Sequence, residues 1–232
     1  MSALSAFTPF VLVAAFLAPA LALAAGEPAG AASGGAAPVW PDTPEARQAA
    51  QGQIEALNAA LLAQASATAT LEGWCAGHRI ANPALVRAER VRAAEGPAPE
   101  AVRALLGAGP DTPVRHRRVR LTCGAVVLSE ADNYYLPDRL TPQMNAVLDT
   151  TDTPFGKVVR PLDFRRRTLE ARMVWTPADT AAPALAHPQP APPLAVPVFV
   201  LEHRAVLTLP DGTPFSALME RYTSGILANP AP

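Results

Sequence analysis

Two stretches of the chain alternate apolar and polar residues with the period of a strand, and each doubles back on itself. The first runs from Arg118 to Pro137 (RVRLTCGAVVLSEADNYYLP) and the second from Arg204 to Ser224 (RAVLTLPDGTPFSALMERYTS). A period of two sends successive side chains to opposite faces of a sheet. In the second stretch Asp211-Gly212 supplies the turn, because glycine tolerates the positive φ that tight hairpins demand. Such repetition predicts an antiparallel sheet built from duplicated hairpins. Phe164 to Trp175 continues the alternation, as does Val198 to Leu209, which extends the first strand of the second hairpin; about six strands are expected in all.

Upstream the period changes to that of a helix. Thr43-Pro44-Glu45 reads as N-cap, first helical position and first-turn acid, and Ile54, Leu57, Leu61 and Leu62 then recur on one face. Ser66-Ala67-Thr68 interrupts this helix, and Leu71 to Cys75 forms a turn or a second short helix. Pro99 to Leu106 reads as a further helix, ended by Gly107-Ala108-Gly109-Pro110. Leu140 to Leu148 is a short helix between the hairpins, followed by a loop at Thr153-Pro154-Phe155-Gly156. From Thr176 to Pro197 proline recurs too often for helix or central strand, which marks a semi-extended surface excursion. The reading is a single α+β domain over residues 43–228, an antiparallel sheet flanked by N-terminal and connecting helices.

Pro9 to Leu23 is an apolar run of the length found in export signals, followed by the small-x-small pattern Ala22-Leu23-Ala24. Residues 1–24 are therefore expected to be a cleaved signal peptide, too short for a stable membrane span, and residues 25–42 a flexible Ala/Gly/Pro leader. A periplasmic or secreted protein follows. In an oxidising compartment Cys75 and Cys123 either bridge or stay as two buried thiols. The 19 Lys and Arg against 20 Asp and Glu leave a net charge of −1, which argues against nucleic acid, since phosphate binding needs a concentrated basic face. No metal is expected: no CxxC occurs, and the four histidines form no ligand pair at helical spacing.

Four features in this order resemble the chorismate pyruvate-lyase family and the ligand-binding superfamily around it. Leu61-Leu62, Ser66-Ala67-Thr68 and Leu71-Glu72 resemble the family's early helix and its S-M-T-like turn. Arg118 heads a strand that ends in Cys123, as the family's substrate-carboxylate arginine does. Thr153-Pro154-Phe155-Gly156 resembles a T-P-L-G loop, and the hairpin with Gly212, Pro214 and Glu220 resembles the closing hairpin and its functional glutamate. The resemblance spans residues 55–225. It implies a lyase that cleaves chorismate into 4-hydroxybenzoate and pyruvate without a cofactor, by binding and orienting the substrate and excluding water. In that reading Arg118 anchors a carboxylate through its planar fork, and Glu220 holds a ring hydroxyl. Amides near Ala67 and Phe155, with Gly156, Asn133 and Tyr135, complete the substrate site. Asn133 stands where these lyases carry a second arginine, which makes the carboxylate end less positive or the substrate different.

Each of these residues also has a plainer reading. Arg118 lies in a run of strand arginines, most of which are solvated. Glu220 shares a face with Leu218 and Tyr222, inward or outward, and Glu202 is its rival. Ser66 and Thr68 are ordinary caps, and Tyr134 and Tyr135 point to opposite faces. The partner expected is a small aromatic or cyclic carboxylic acid, bound by a monomer. A non-catalytic binding protein on the same scaffold, resembling the effector-binding domains of some transcription regulators, is the alternative to an enzyme.

Overall fold

The computed structural model describes residues 39–177 and 191–227. The expected signal peptide and most of the leader fall outside the described residues, as does the middle of the proline-rich excursion.

Local signals in the sequence set the helices. The Thr43 hydroxyl accepts from the Ala46 amide and Pro44 occupies the first turn, opening α1 (Pro44–Ala63). Ala46, Ala50, Ile54, Leu57 and Leu61 form its buried stripe at helical spacing. Ser66 ends the interruption by capping a second helix, α2 (Ala67–Gly77), with its hydroxyl accepting from Ala69. The short helices α3 (Glu100–Leu106), α4 (Pro142–Thr150) and α5 (Phe155–Val158) lie between strands. Gly107 closes α3 in the left-handed conformation, φ 64°, where glycine carries no Cβ penalty.

Six antiparallel strands form one sheet in the order β1-β2-β3-β6-β5-β4. They are β1 (Val86–Arg90), β2 (Arg115–Cys123), β3 (Val126–Tyr135), β4 (Arg165–Met173), β5 (Phe199–Thr208) and β6 (Pro214–Thr223). The two hairpins seen in the sequence, β2–β3 and β5–β6, sit side by side through the β3–β6 ladder. Strand β1 was not anticipated; its five residues carry too little alternation to stand out from the loop around them.

The two faces of the sheet differ in what covers them. One packs Val86, Ala88, Val119, Leu121, Ala131 and Tyr222 against Ile54, Leu57, Leu61 and Leu71 of α1 and α2. On the other, Leu106 meets Val206 and Ala217, and beside them Arg118, Arg120 and Arg221 pair with Glu130 and Asp132. Cys75 and Cys123 are joined in a disulfide that ties α2 to the end of β2, with both residues fully buried. The last part of the proline-rich stretch is packed onto the core: Leu194 is buried, and its amide donates to the Trp40 carbonyl. Among the described residues no helix is long and apolar enough to cross a membrane.

Candidate functional site

A pocket opens on the helix-covered face where β2, β3 and β6 approach the starts of α2 and α5. Its cavity is about 40 Å³, room for a few waters, and it is continuous with the open cleft above it. Val119, Leu121, Ala131, Leu218, Phe155 and Phe164 give it an apolar wall, and Arg117, Asn133, Arg166 and Glu220 are its polar side chains from the sheet. The rim is formed by Ser66, Ala67, Thr68 and Gly156. A methyl group on Gly156 would stand 3.0 Å from the Ser66 hydroxyl oxygen and 3.1 Å from that of Thr68, so a side chain here would force those hydroxyls to give by a few tenths of an ångström.

The arginine on the pocket face is Arg117, not Arg118. Cross-strand pairing sets Arg117 opposite Asn133 and Arg118 opposite Asp132, and a shift of one residue along a strand exchanges faces. Arg118 therefore lies on the far face, donating to Asp132 at 2.6 Å and Glu130 at 2.9 Å. The expectation that Arg118 enters the pocket is corrected accordingly. Arg117 is 1% exposed and meets only two backbone acceptors, the carbonyls of Thr151 at 3.4 Å and Thr153 at 3.3 Å. Its Nε is buried with no partner, and no carboxylate among the described residues lies within ion-pair distance of it. Burial lowers its pKa and the nearby Arg90 adds to the effect, partly offset by Tyr135, Glu95 and Asp149, although a guanidinium in a protein remains charged.

Asn133 is oriented by Ser216, whose hydroxyl donates to Oδ1 at 2.5 Å. That bond identifies Nδ2 as the group left over, and Nδ2 is buried without a partner. The second cation, Arg166, was missed in the sequence among Arg165 and Arg167. Its Nη2 donates to Glu220 at 2.6 Å, with side chains 3% and 7% exposed, while its Nε is also unpartnered. Burial opposes the charge on Arg166, but Glu220, reinforced by Tyr222, outweighs it and raises the pKa. The Tyr222 hydroxyl donates to the same Glu220 oxygen at 3.2 Å, and burial followed by the Glu220 charge pushes its pKa well up. Behind this group, His203 lies opposite Glu220 in the ladder and its Nε2 meets Asn58 Oδ1 at 2.7 Å. Burial lowers the pKa of His203.

Of the residues proposed from sequence, Ala67, Phe155, Gly156, Asn133 and Glu220 converge on the pocket. Glu202 does not; it pairs with Arg172 at the sheet surface. Tyr135 does not line the pocket either. It shares the face of Asn133 but lies one pleat farther on, packed against Phe155 with ring centroids 5.3 Å apart. Counting Arg117, Arg166 and Glu220, the pocket carries a net charge of +1, with unpartnered donors at both ends. Such a site can hold an anion and a second polar group, with apolar surface between them. Among the described residues no group of three or more His, Cys, Asp or Glu is placed to hold a metal ion.

No protein-family profile matches the chain. The chain is 48% identical over 196 residues to the uncharacterized protein y4mC of Sinorhizobium fredii (strain NBRC 101917 / NGR234), a match covering 83% of each. The chain belongs to the y4mC family. Solved structures similar to it include YydK of Bacillus subtilis, a possible transcriptional regulator, and PhnF of Mycobacterium smegmatis. For YydK the identity is 14% and the TM-score 0.37, with 63% of this chain and 61% of that one covered. For PhnF they are 15% and 0.42, with 64% and 62% covered. The chain thus spans less than two thirds of either protein. The likeness is one of overall chain course, and the chemistry assigned to the y4mC-family pocket rests on its own residues.

Proposed function

We propose that the pocket binds a small aromatic or cyclic monocarboxylate. One observation carries this reading: Arg117 is a fully buried cation with an unpartnered Nε and no carboxylate among the described residues in ion-pair contact, Glu95 and Asp149 acting on it only from farther off. Burying a charge without a counter-charge is costly, and a ligand carboxylate would remove that cost. Asn133 Nδ2 is one strand away and offers a second donor. The starting amides of α2 add a field favourable to an anion. Phe155, Phe164, Leu218 and Val119 offer apolar surface to a ring. A carboxylate on Arg117 leaves the ring directed over Ala131, whose small side chain forms part of the floor, towards Glu220. Calorimetric titration of the purified protein with benzoate and 4-hydroxybenzoate tests the reading. Saturable binding to the wild type that vanishes in Arg117→Met supports it, and absence of binding to folded wild type refutes it.

A second reading is catalytic. The residues taken from the chorismate pyruvate-lyase resemblance, Ala67, Phe155, Gly156 and Glu220, line the same pocket as a buried arginine. Elimination of pyruvate from chorismate breaks the enolpyruvyl C–O bond and aromatises the ring, so orientation and exclusion of water are the main demands on the protein. Appearance of 4-hydroxybenzoate from chorismate, lost in Arg117→Met, distinguishes a lyase from a binding protein. Chorismate carries two carboxylates, and Asn133 in place of a second arginine favours the monocarboxylate reading. Export belongs to the proposal as well: the apolar run Pro9 to Leu23 and the Cys75–Cys123 disulfide support it. N-terminal sequencing of the mature protein tests it.

A further inference from the structure

Arg117 has a second cation beside it. In the β1–β2 ladder Arg90 stands opposite Val119, and Val119 shares with Arg117 the face that lines the pocket. Arg90 is therefore the diagonal neighbour of Arg117 across the two strands, and its charge is felt there. The two guanidiniums are partnered very differently. One short helical turn, Arg92–Ala94, folds the chain back after β1, and Glu95 takes Arg90 in a two-point bond, at 2.6 Å to Nε and 2.9 Å to Nη2. The remaining nitrogen, Nη1, stands 3.5 Å from Asp149 Oδ1, while the other oxygen of Asp149 is held by Arg115 at 2.8 Å. Glu95 is also fastened to β2, where it accepts from the Arg118 amide at 3.3 Å, one residue from Arg117. Burial opposes the charge on Glu95, but Arg90 outweighs it and lowers the pKa. Two carboxylates and two guanidiniums thus share this corner of the sheet, and both carboxylates are paired with Arg90.

We propose that Arg90 is a positioning residue that keeps Glu95 and Asp149 to itself and so leaves Arg117 free for the carboxylate of the ligand. A guanidinium favours two-point pairing with a carboxylate, so an Arg117 that met Glu95 would be neutralised by the protein and lost as an anion site. Arg90 prevents this in two ways. Its planar fork occupies the Glu95 oxygens, and its charge offsets the field that the two carboxylates would otherwise set at Arg117. The carbonyls of Thr151 and Thr153 then hold Arg117 in place without supplying a counter-charge. The inference rests on the carboxylate pocket proposed above and adds a residue from outside the pocket lining.

The closing experiment is calorimetric titration of the purified protein with benzoate as wild type, Arg90→Met, Glu95→Gln and the double variant. The two single changes break the same ion pair but move the local charge in opposite directions, down in Arg90→Met and up in Glu95→Gln, and the double variant restores it. Benzoate affinity should fall by about tenfold or more in Arg90→Met. It should match or exceed wild type in Glu95→Gln and return to within about threefold of wild type in the double variant. Weakened binding in both single variants would show that the pair only braces the sheet, and overturns the inference. A double variant no better than Arg90→Met overturns it as well. Undiminished binding in folded Arg90→Met does the same and leaves the carboxylate pocket standing. No binding of benzoate to wild type overturns the pocket reading and the inference together. Should Arg90→Met not fold, Glu95→Gln and the double variant decide the matter alone.

Discussion

Arg117 and Arg118 are neighbours in sequence, and replacing each by methionine is expected to move stability in opposite directions. Methionine keeps most of the packing of the arginine stem. At Arg117 it removes two hydrogen bonds of 3.4 and 3.3 Å, long enough that each contributes less than the typical net value of about 1 kcal/mol. It also removes a buried Nε donor with no partner, a cost of about 1–3 kcal/mol. With each long bond at about 0.5 kcal/mol the balance is a gain of about 0–2 kcal/mol, and at about 2–4 °C per kcal/mol for a domain of this size the unfolding midpoint should rise by up to about 8 °C. At Arg118 the same change strips short bonds from Asp132 and Glu130, whose side chains are 10% and 20% exposed. That should cost about 1 kcal/mol after allowance for solvent screening. Thermal unfolding followed by circular dichroism reads both. Benzoate at a hundred times its dissociation constant should then stabilise wild type and Arg118→Met by about 2.7 kcal/mol and leave Arg117→Met unmoved. A lowered midpoint for Arg117→Met refutes the claim that this cation is held for a ligand rather than for the fold.

Other perturbations have comparably definite outcomes. Cys75 and Cys123 close a loop with a sequence separation of 48, so the double alanine variant should lose about 4 kcal/mol in urea unfolding on the chain-entropy model; a loss under about 1 kcal/mol counts against that account. Removing either partner of the buried Arg166–Glu220 pair by Arg166→Leu or Glu220→Leu should cost about 3–5 kcal/mol, and the double variant should recover much of it; additive losses would show that the two do not interact. Gly156→Ala pushes its Cβ against the Ser66 and Thr68 hydroxyls and should disturb the cap of α2, for about 1 kcal/mol of stability, together with a several-fold loss of ligand affinity. His203 is buried with its pKa lowered, so the unfolded chain binds the proton more readily than the folded one. Stability should therefore fall as pH drops below about 6.5, and His203→Gln should flatten the slope; an unchanged slope in the variant assigns it to other groups.

What was legible in the sequence was whatever a local pattern dictates. Thr43 and Ser66 are caps because a hydroxyl beside free amides has few better uses, and the two hairpins announced themselves through alternation and Asp211-Gly212. Facing was harder. In the run Arg115 to Arg120 only one interior position is apolar, so the alternation that normally marks the inner face is hidden. Extending it backwards from Val119 and Leu121 would have selected Arg117. Arg166 left a fainter trace, since it is flanked by two exposed arginines and its burial depends on a glutamate 54 positions away. Tyr135 was placed on the correct face yet one pleat too near, a distance fixed by how Phe155 packs and not by any property of the strand. The buried end of the proline-rich stretch follows from Leu194 meeting Trp40, a contact between segments with no periodicity of their own.

The Cys75–Cys123 bridge also bears on how a ligand comes and goes. It joins the later turns of the helix whose first turn supplies Ala67 and Thr68 to the pocket rim with the end of the strand that supplies Arg117, so rim and anchor are cross-linked by a short path. A helix tethered in this way cannot swing aside as a gate. Exchange must then pass through side-chain motion of the wall, with the half-buried Phe164 freer to turn than the buried Phe155, and side-chain rotations of accessible residues take picoseconds to nanoseconds. Entry should consequently show a single fast association phase with no slow opening step, and differences in affinity among ligands should appear almost wholly in their residence times.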